Sequence, residues 1–324
     1  MTAKEDDSVN APVRIGISAC LLGEKVRYDG GHKLDRYLRD TVGRFVTWVG
    51  VCPEVECGLS VPREAMRLVG PIESPRLVTQ KTGIDHTERM QRWAEKRVRE
   101  LEKENLCGFI FKSGSPSSGM EKVRVYNAKG MPVKKGVGMF ALKFMERFPL
   151  LPVEDDGRLQ DLPLRENFIS RAFVFRRWLD FLEEDGSLKG LVSFHTAHKL
   201  LIMSHSPKAL AELGNLVART KKIKRKELLE MYIGRVMDAL KLMATVKKNA
   251  NVLYHIAGYF KKQLTADEKA ELGEIIGQYH AGLVPLIVPI TLLGHYVRKH
   301  REPYLLKQVY LYPHPTELML RNHV

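Results

Sequence analysis

The sequence predicts an α/β N-terminal domain with a mostly parallel sheet, followed by an all-α helical domain. Three features carry this expectation. Up to about residue 150, short apolar runs alternate with stretches of helical period, the pattern of parallel strands joined by crossovers. A break follows that contains Pro152, Pro163 and the acidic turn Glu154, Asp155, Asp156 and Gly157, a linker composition. Beyond it only helical periodicity remains.

Taken in order, 13–19 reads as a strand, 34–44 as a helix, and 45–51 as a second strand ending in a Cys-Pro turn. Residues 76–79 form a short strand. At 86–105 the spacing of Met90, Trp93, Ala94, Arg97 and Leu101 is helical. Residues 108–112 are a third apolar strand, 123–126 a fourth run, and 138–147 a helix. The second half reads as helices at 165–184, 191–203, 207–219, 225–248, 252–263, 266–286 and 288–299, with a Pro- and Tyr-containing tail over 303–315. The expected division is a disordered tail at 1–12, the α/β domain at 13–150, a linker at 151–164, and a basic helical domain at 165–324.

Length and composition set bounds. At 324 residues, 44% hydrophobic and 28% charged, the chain suits two domains that each bury a core. Met1 to Pro12 is polar and acidic, so it is neither a signal peptide nor an anchor. The most apolar later stretch, 281–293, is interrupted by Pro285 and Pro289 and is too short to span a bilayer. A cytoplasmic protein without membrane association is expected.

The net charge of +14 is uneven: residues 161–324 hold 25 Lys+Arg against 16 Asp+Glu, and 219–262 alone hold 12 against three. Lys221, Lys222, Lys224, Arg225 and Lys226 run together, followed by Lys247, Lys248, Lys261 and Lys262. Such a face suits a polyanion such as RNA, or is a solvated helix surface.

Of Cys20, Cys52, Cys57 and Cys107, the first three lie in segments that follow predicted strands. These are Ser18-Ala19-Cys20-Leu21-Leu22-Gly23, Cys52-Pro53-Glu54-Val55-Glu56-Cys57-Gly58, and, with no cysteine, Lys112-Ser113-Gly114-Ser115-Pro116-Ser117-Ser118-Gly119. Loops after parallel strands converge at one sheet edge, so these segments should meet. Cys52 and Cys57 have the C-x4-C spacing found in plant-type iron–sulfur proteins. Three thiolates without a fourth leave one metal position open, suited to a sulfur-bearing substrate. Zinc is the competing metal, with His32 the only nearby histidine, and buried core cysteines are the plain alternative; Cys107, at the start of an apolar strand, fits the latter. Glu54 could accept a proton from water or cap its turn. Ser113 and Ser115 could donate to a base, or merely shape the loop. Arg27, Tyr28 and His32, in the polar turn after the first cysteine, could touch substrate.

Together these segments resemble the thiouracil desulfidase (TudS-like) family, through SACLLG with RYDGGHK, CPE with Leu59, Pro62 and Arg63, and the SPS-containing loop. The resemblance covers about 13–150. RENFISRAF, FHTAHKLLIMSH and NVLYHIAGYFK are similar to the helical domain fused to it in tRNA 4-thiouridine desulfidases (RudS-like). The resemblance implies a 4Fe–4S cluster on three cysteines, with Cys20 and Cys52 as ligands, Glu54 as catalytic base and Ser115 as substrate-orienting serine. Stand-alone members end the loop in SPSCG, whereas this chain has Ser118; it also has Cys57 where they often have glycine. The third ligand is therefore expected at Cys57.

The implied reaction is hydrolytic removal of sulfur from 4-thiouridine in tRNA, with no obligatory protein partner. Two rivals stand beside it: a desulfidase of free thiouracil or thiouridine, and a non-catalytic iron–sulfur sensor that binds nucleic acid.

Overall fold

The structure, a computed structural model, describes residues 12–218 and 223–323. The chain divides into two compact units, Met1–Asp161 and Leu162–Val324. Residues 1–11 of the expected tail, and Lys221 and Lys222, lie outside the described residues.

The first unit is built on two four-stranded sheets. In the first, β1 (Val13–Ser18) lies between β2 (Val46–Val51) and β5 (Gly108–Phe111), and β8 (Val153–Asp155) pairs with the far edge of β5. All four are parallel, with β1 and β2 in register from Val13 opposite Val46 to Ser18 opposite Val51. Ile15, Ile17, Phe109 and Phe111 are buried, as a strand covered on both faces requires. Gly16 lies against the ring of Phe109, and a Cβ there would collide with it.

The second sheet is mixed, in the order β4 (Arg76–Thr79), β3 (Met66–Val69), β6 (Val123–Tyr126), β7 (Pro132–Gly136). Its β3 and β6 run parallel, and the outer pairs are antiparallel. Helices α1 (Pro53–Glu56), α2 (Thr87–Leu101) and α3 (Met139–Arg147) complete the unit. The apolar face of α2, through Met90, Ala94, Val98 and Leu101, is buried.

Several expectations are corrected here. The helix at 34–44 is a π-turn, Tyr37–Thr41, and a 3-10 turn, Val42–Arg44, in which the Asp35 side chain takes the Leu38 N–H at 3.1 Å. Strands β3 and β7 were not foreseen. The first is too short for a clear period; the second is an exposed edge carrying Lys134 and Lys135. The linker at 151–164 is instead β8, a 3-10 turn at Arg158–Gln160, and the start of α4. Proline in a first helical turn loses no hydrogen bond, so Pro163 does not bar that helix.

The second unit is helical: α4 (Leu162–Glu184), α5 (Leu188–His205), α6 (Pro207–Ala218), α7 (Arg225–Lys241), α8 (Val246–Tyr259), α9 (Ala266–His280) and α10 (Ile287–His300). The single helix expected over 225–248 is two helices. Its break, 242–245, ends in Thr245, whose side chain caps α8 through the Lys248 N–H. Helix α9 stops short of 286 because Gly282 turns the backbone to φ +75°. Four histidines are buried in this unit: His195, His198, His205 and His314. Among the described residues no helix is long and apolar enough to cross a membrane.

Candidate active site

Because β1, β2 and β5 are parallel neighbours, the loops leaving their C-terminal ends share one edge of the sheet. They line a cavity of about 450 Å³, a size suited to a nucleoside-scale ligand. Lys112 seals the edge, its N–H donating to the Ser18 hydroxyl at 2.9 Å across from β5 to β1.

From β1, the chain enters a 3-10 turn (Ala19–Leu22) that Gly23 closes at φ +97°. This aims Cys20 at the cavity. Cys52 is the N-cap of α1, with Pro53 at the first helical position. Its N–H donates to the Glu56 carboxylate at 2.9 Å, and Arg97 holds that carboxylate at 3.0 Å. The Cys52 thiol faces the cavity and donates to Glu54 Oε2 at 3.6 Å. Burial pushes the Cys20 thiol up to about 11, against the pull of Arg27 and Lys112. Burial first, and then the Glu54 carboxylate, pushes Cys52 up to about 12. Both thiols therefore hold their protons at neutral pH unless a metal displaces them.

Glu54 lines the cavity between these groups. The Ser117 hydroxyl donates to its Oε1, and the Arg63 guanidinium lies 3.9 Å from its Oε2. Arg63 is itself fixed by the Val26 carbonyl at 3.0 Å and the Ser60 carbonyl at 3.2 Å. Ser115 Oγ sits 3.0 Å from Ser117 Oγ and accepts the N–H of Ser118 at 3.1 Å. A hydroxyl chain thus runs from Ser115 through Ser117 to Glu54. The loop is held by the N-terminus of α3, where the N–H of Phe140 donates to the Ser117 carbonyl at 2.9 Å. Gly138 packs so closely there that a Cβ would lie 2.5 Å from the Ser117 carbonyl carbon.

The other candidates divide. Arg27, Tyr28 and Ser113 line the cavity. Ser113 is bound by Lys112 Nζ at 2.8 Å, and its N–H donates to Asp156 at 2.7 Å. Asp156 also pairs with Lys112 at 2.9 Å. His32 does not line the cavity; its Nδ1 accepts the Leu34 N–H at 3.2 Å in a local turn. Cys57 does not line it either. Its thiol donates to the Glu54 carbonyl at 3.2 Å and packs against the apolar cluster of Leu68, Leu77, Met90, Val123, Val125 and Met139.

Among the residues that line the cavity, Cys20, Cys52 and Ser118 offer two thiols and a hydroxyl, one from each of the three loops. Among the described residues no three His, Cys, Asp or Glu side chains are gathered as a metal site. Ser118 is a buried residue, and its hydroxyl makes no hydrogen bond among the described residues. The set fits a thiolate-held cluster at two corners and offers oxygen at the third.

Sequence reasoning missed Arg63, Lys112, Ser117 and Asp156 as site residues. The first three stand within or beside the motifs quoted above, whereas Asp156 lay in a stretch whose composition suggested a linker.

In the helical unit, Lys224, Arg225, Lys226, Lys247, Lys261 and Lys262 are exposed. Lys248 is not available in the same way: its ammonium donates to the carbonyls of His205 at 2.7 Å and Met243 at 3.2 Å, a structural cap.

Residues 15–156 match the family described as 2-thiouracil desulfurase, and 199–315 match a family described as a protein of unknown function, DUF1722. The uncharacterized protein YbgA of Escherichia coli K12 is 29% identical over 159 residues, 48% of this chain and 94% of that protein. The uncharacterized protein YbbK of Bacillus subtilis 168 is 31% identical over 108 residues, 32% of this chain and 71% of that protein. A solved structure, the [4Fe-4S]-dependent thiouracil desulfidase TudS, is 32% identical, with 47% of this chain and 96% of that one covered, at a TM-score of 0.38.

Proposed function

The chain belongs to the 2-thiouracil desulfurase family through residues 15–156, and from that premise we propose that it hydrolyses 4-thiouridine in tRNA to uridine and sulfide. The observation that carries this is the cavity in which Glu54 lies 3.6 Å from the Cys52 thiol and is held by Ser117.

The cofactor in this reading is a 4Fe–4S cluster, the group on which the solved thiouracil desulfidase depends. Cys20, Cys52 and Ser118 would hold it. When bound, it supplies a Lewis-acid iron for the thiocarbonyl sulfur. The chain's own residues do the rest. Glu54 takes a proton from the attacking water, which adds to the carbon bearing sulfur; the C–S bond breaks as the carbonyl forms, and sulfur leaves as sulfide. Ser117 and Arg63 hold the Glu54 carboxylate in place. Ser115, Ser113, Arg27 and Tyr28 contact the base, and Lys112 with Asp156 fixes the loop that carries the two serines.

Glu54→Gln should retain iron and fold yet lose about 10²-fold or more in turnover, the usual size of a general-base contribution. Sulfide release from thiolated tRNA at the wild-type rate, with iron intact, would remove Glu54 from the mechanism.

The tRNA part of the proposal rests on the basic face of the helical unit. Lys224, Arg225 and Lys226 stand at the N-terminal end of α7, where the helix dipole opposes cations. Their presence there costs helix stability, which suits a role in binding. Glutamate at these three positions should preserve or slightly raise stability while weakening tRNA desulfuration. It should also flatten the salt dependence by roughly 2 in slope, as three lost phosphate contacts require. Free 4-thiouridine should be processed as by the wild type; equal tRNA activity across a salt series would sink this surface.

A further inference from the structure

A second cavity, of about 230 Å³, lies within the helical unit and is not used by the reaction proposed above. Its walls are largely apolar, with Glu166, Asn167 and Ser170 of α4, His205 of α5, Asn249 of α8 and Arg321 of the C-terminal stretch among them.

Several of these polar groups are more than nine-tenths buried and keep an unfilled hydrogen-bonding position. Ser170 is 6% exposed, and its hydroxyl makes no hydrogen bond among the described residues. Asn167, 8% exposed, donates its amide to the Leu240 carbonyl at 2.9 Å, which leaves its Oδ1 without a partner among them. His205, 5% exposed, donates through Nδ1 to the Leu242 carbonyl at 2.5 Å. Burial lowers its pKa to about 4, so the ring is neutral and Nε2 presents a lone pair. Arg321, 6% exposed, uses Nε on Glu166 at 2.9 Å and Nη1 on the Tyr310 carbonyl at 2.7 Å, and keeps donors on Nη2. Buried polar groups are ordinarily satisfied. Several open hydrogen-bonding positions on residues that line one apolar-walled cavity are the signature of a ligand site.

The charge and size of the cavity specify the ligand. Glu166 neutralises Arg321, His205 is neutral, and Lys248 beside it is held by two carbonyls and does not line the cavity, so no unopposed cation among the lining residues faces a phosphate. Among the open positions are two acceptors, Asn167 Oδ1 and His205 Nε2, and two donors, Arg321 Nη2 and the Ser170 hydroxyl. That set is complementary to the mixed N–H and C=O edge of a nucleobase between apolar walls. The volume lies below the roughly 300–1,000 Å³ of ordinary drug-sized sites, which admits one base or nucleoside. We propose that this cavity of the helical unit binds a single nucleobase, presented as a free nucleoside or extruded from RNA. The proposal is independent of the desulfuration reading, because it concerns only residues of the second unit.

Calorimetric titration of the whole chain with uridine, cytidine, guanosine, adenosine and inorganic phosphate tests it. At least one nucleoside should bind at one site per chain, and phosphate should not. Ala244→Phe, which fills this cavity from its half-buried rim, should weaken binding more than 30-fold. Ser170→Ala should weaken it roughly three- to tenfold, the size of one hydrogen bond. Ala65→Phe, which fills the cavity of the α/β unit, should leave it unchanged. Should Ala244→Phe fail to fold, the Ser170→Ala comparison decides. A short RNA that displaces the nucleoside, where its abasic counterpart does not, identifies an extruded base; failure of both to displace it identifies the free nucleoside. Absence of saturable nucleoside binding, or its loss in Ala65→Phe but not in Ser170→Ala or Ala244→Phe, would overturn the proposal.

Discussion

Alanine at Cys52 should strip the α/β unit of iron and lower desulfuration by about 10³-fold or more, whereas alanine at Cys57 should leave both in place. The contrast follows from where the two thiols point. Cys52 opens onto the cavity beside Glu54, and burial keeps its thiol protonated, so only a metal that displaces the proton turns it into a thiolate. Losing it removes one of two soft donors. Cys57 donates to a carbonyl of its own turn and packs on the apolar cluster, so its replacement should cost stability of about 1 kcal/mol and little else. Ser118→Cys sharpens the test. It would place a third thiol on the cavity wall, and iron prefers sulfur to a hydroxyl in such a set. Iron per chain after anaerobic reconstitution should rise in Ser118→Cys. Loss of iron from a folded Cys57→Ala protein would show instead that the Cys57 side chain turns inward when metal is present.

The helical unit should unfold as the pH falls from about 6.5 toward 4. Burial lowers His195 and His205 to about 4, and His198 and His314 to about 3. In the unfolded chain each takes up a proton near 6.5. Between the two values the unfolded state binds more protons, so stability falls as pH falls. Each unit of separation is worth about 1 kcal/mol. Four such groups amount to something on the order of 5–10 kcal/mol at pH 4, comparable with the whole stability of a domain. His198 and His314 have no release, since each has a buried Nε2 with no hydrogen-bond partner among the described residues. Fluorescence of Trp178, buried against Phe194 and Tyr232, reports on this unit. His198→Phe should keep the stack on Phe194, now at 3.9 Å between centroids, and move the acid midpoint lower. A Trp178 signal unchanged from pH 7 to 4.5 would refute the assignment of these histidines as neutral.

The part of the fold legible in the sequence was the part with a repeating signal. Strands β1, β2 and β5 are continuous apolar runs, each ending at a conspicuous loop, and their parallel pairing places Cys20, Cys52 and the serines together. Helix α2 has a clear period, through Met90, Ala94, Val98 and Leu101. What was illegible depended on direction and not on composition. The spacing of Cys52 and Cys57 says nothing of the helical turn between them, which rotates the second thiol toward the core. Ser117 and Ser118 were visible as a loop, yet only packing against Gly138 and α3 aims the Ser117 hydroxyl at Glu54. Asp156 was hidden because a three-residue strand with two carboxylates has no apolar signature. Lys248 was indistinguishable from its neighbour Lys247 until its ammonium met two carbonyls.

Strand β8 bears on how the molecule can be divided. It covers the outer edge of β5, and the residue after it, Asp156, anchors both Lys112 and Ser113. Cleavage at residue 150, where composition suggests a boundary, would detach this strand from the sheet it completes. The truncated fragment would expose the backbone of β5, an apolar strand with unpaired N–H and C=O groups, and invite strand-to-strand aggregation. A cut after Asp161 keeps that edge covered, so partial proteolysis of the folded chain should spare the stretch from 151 to 161.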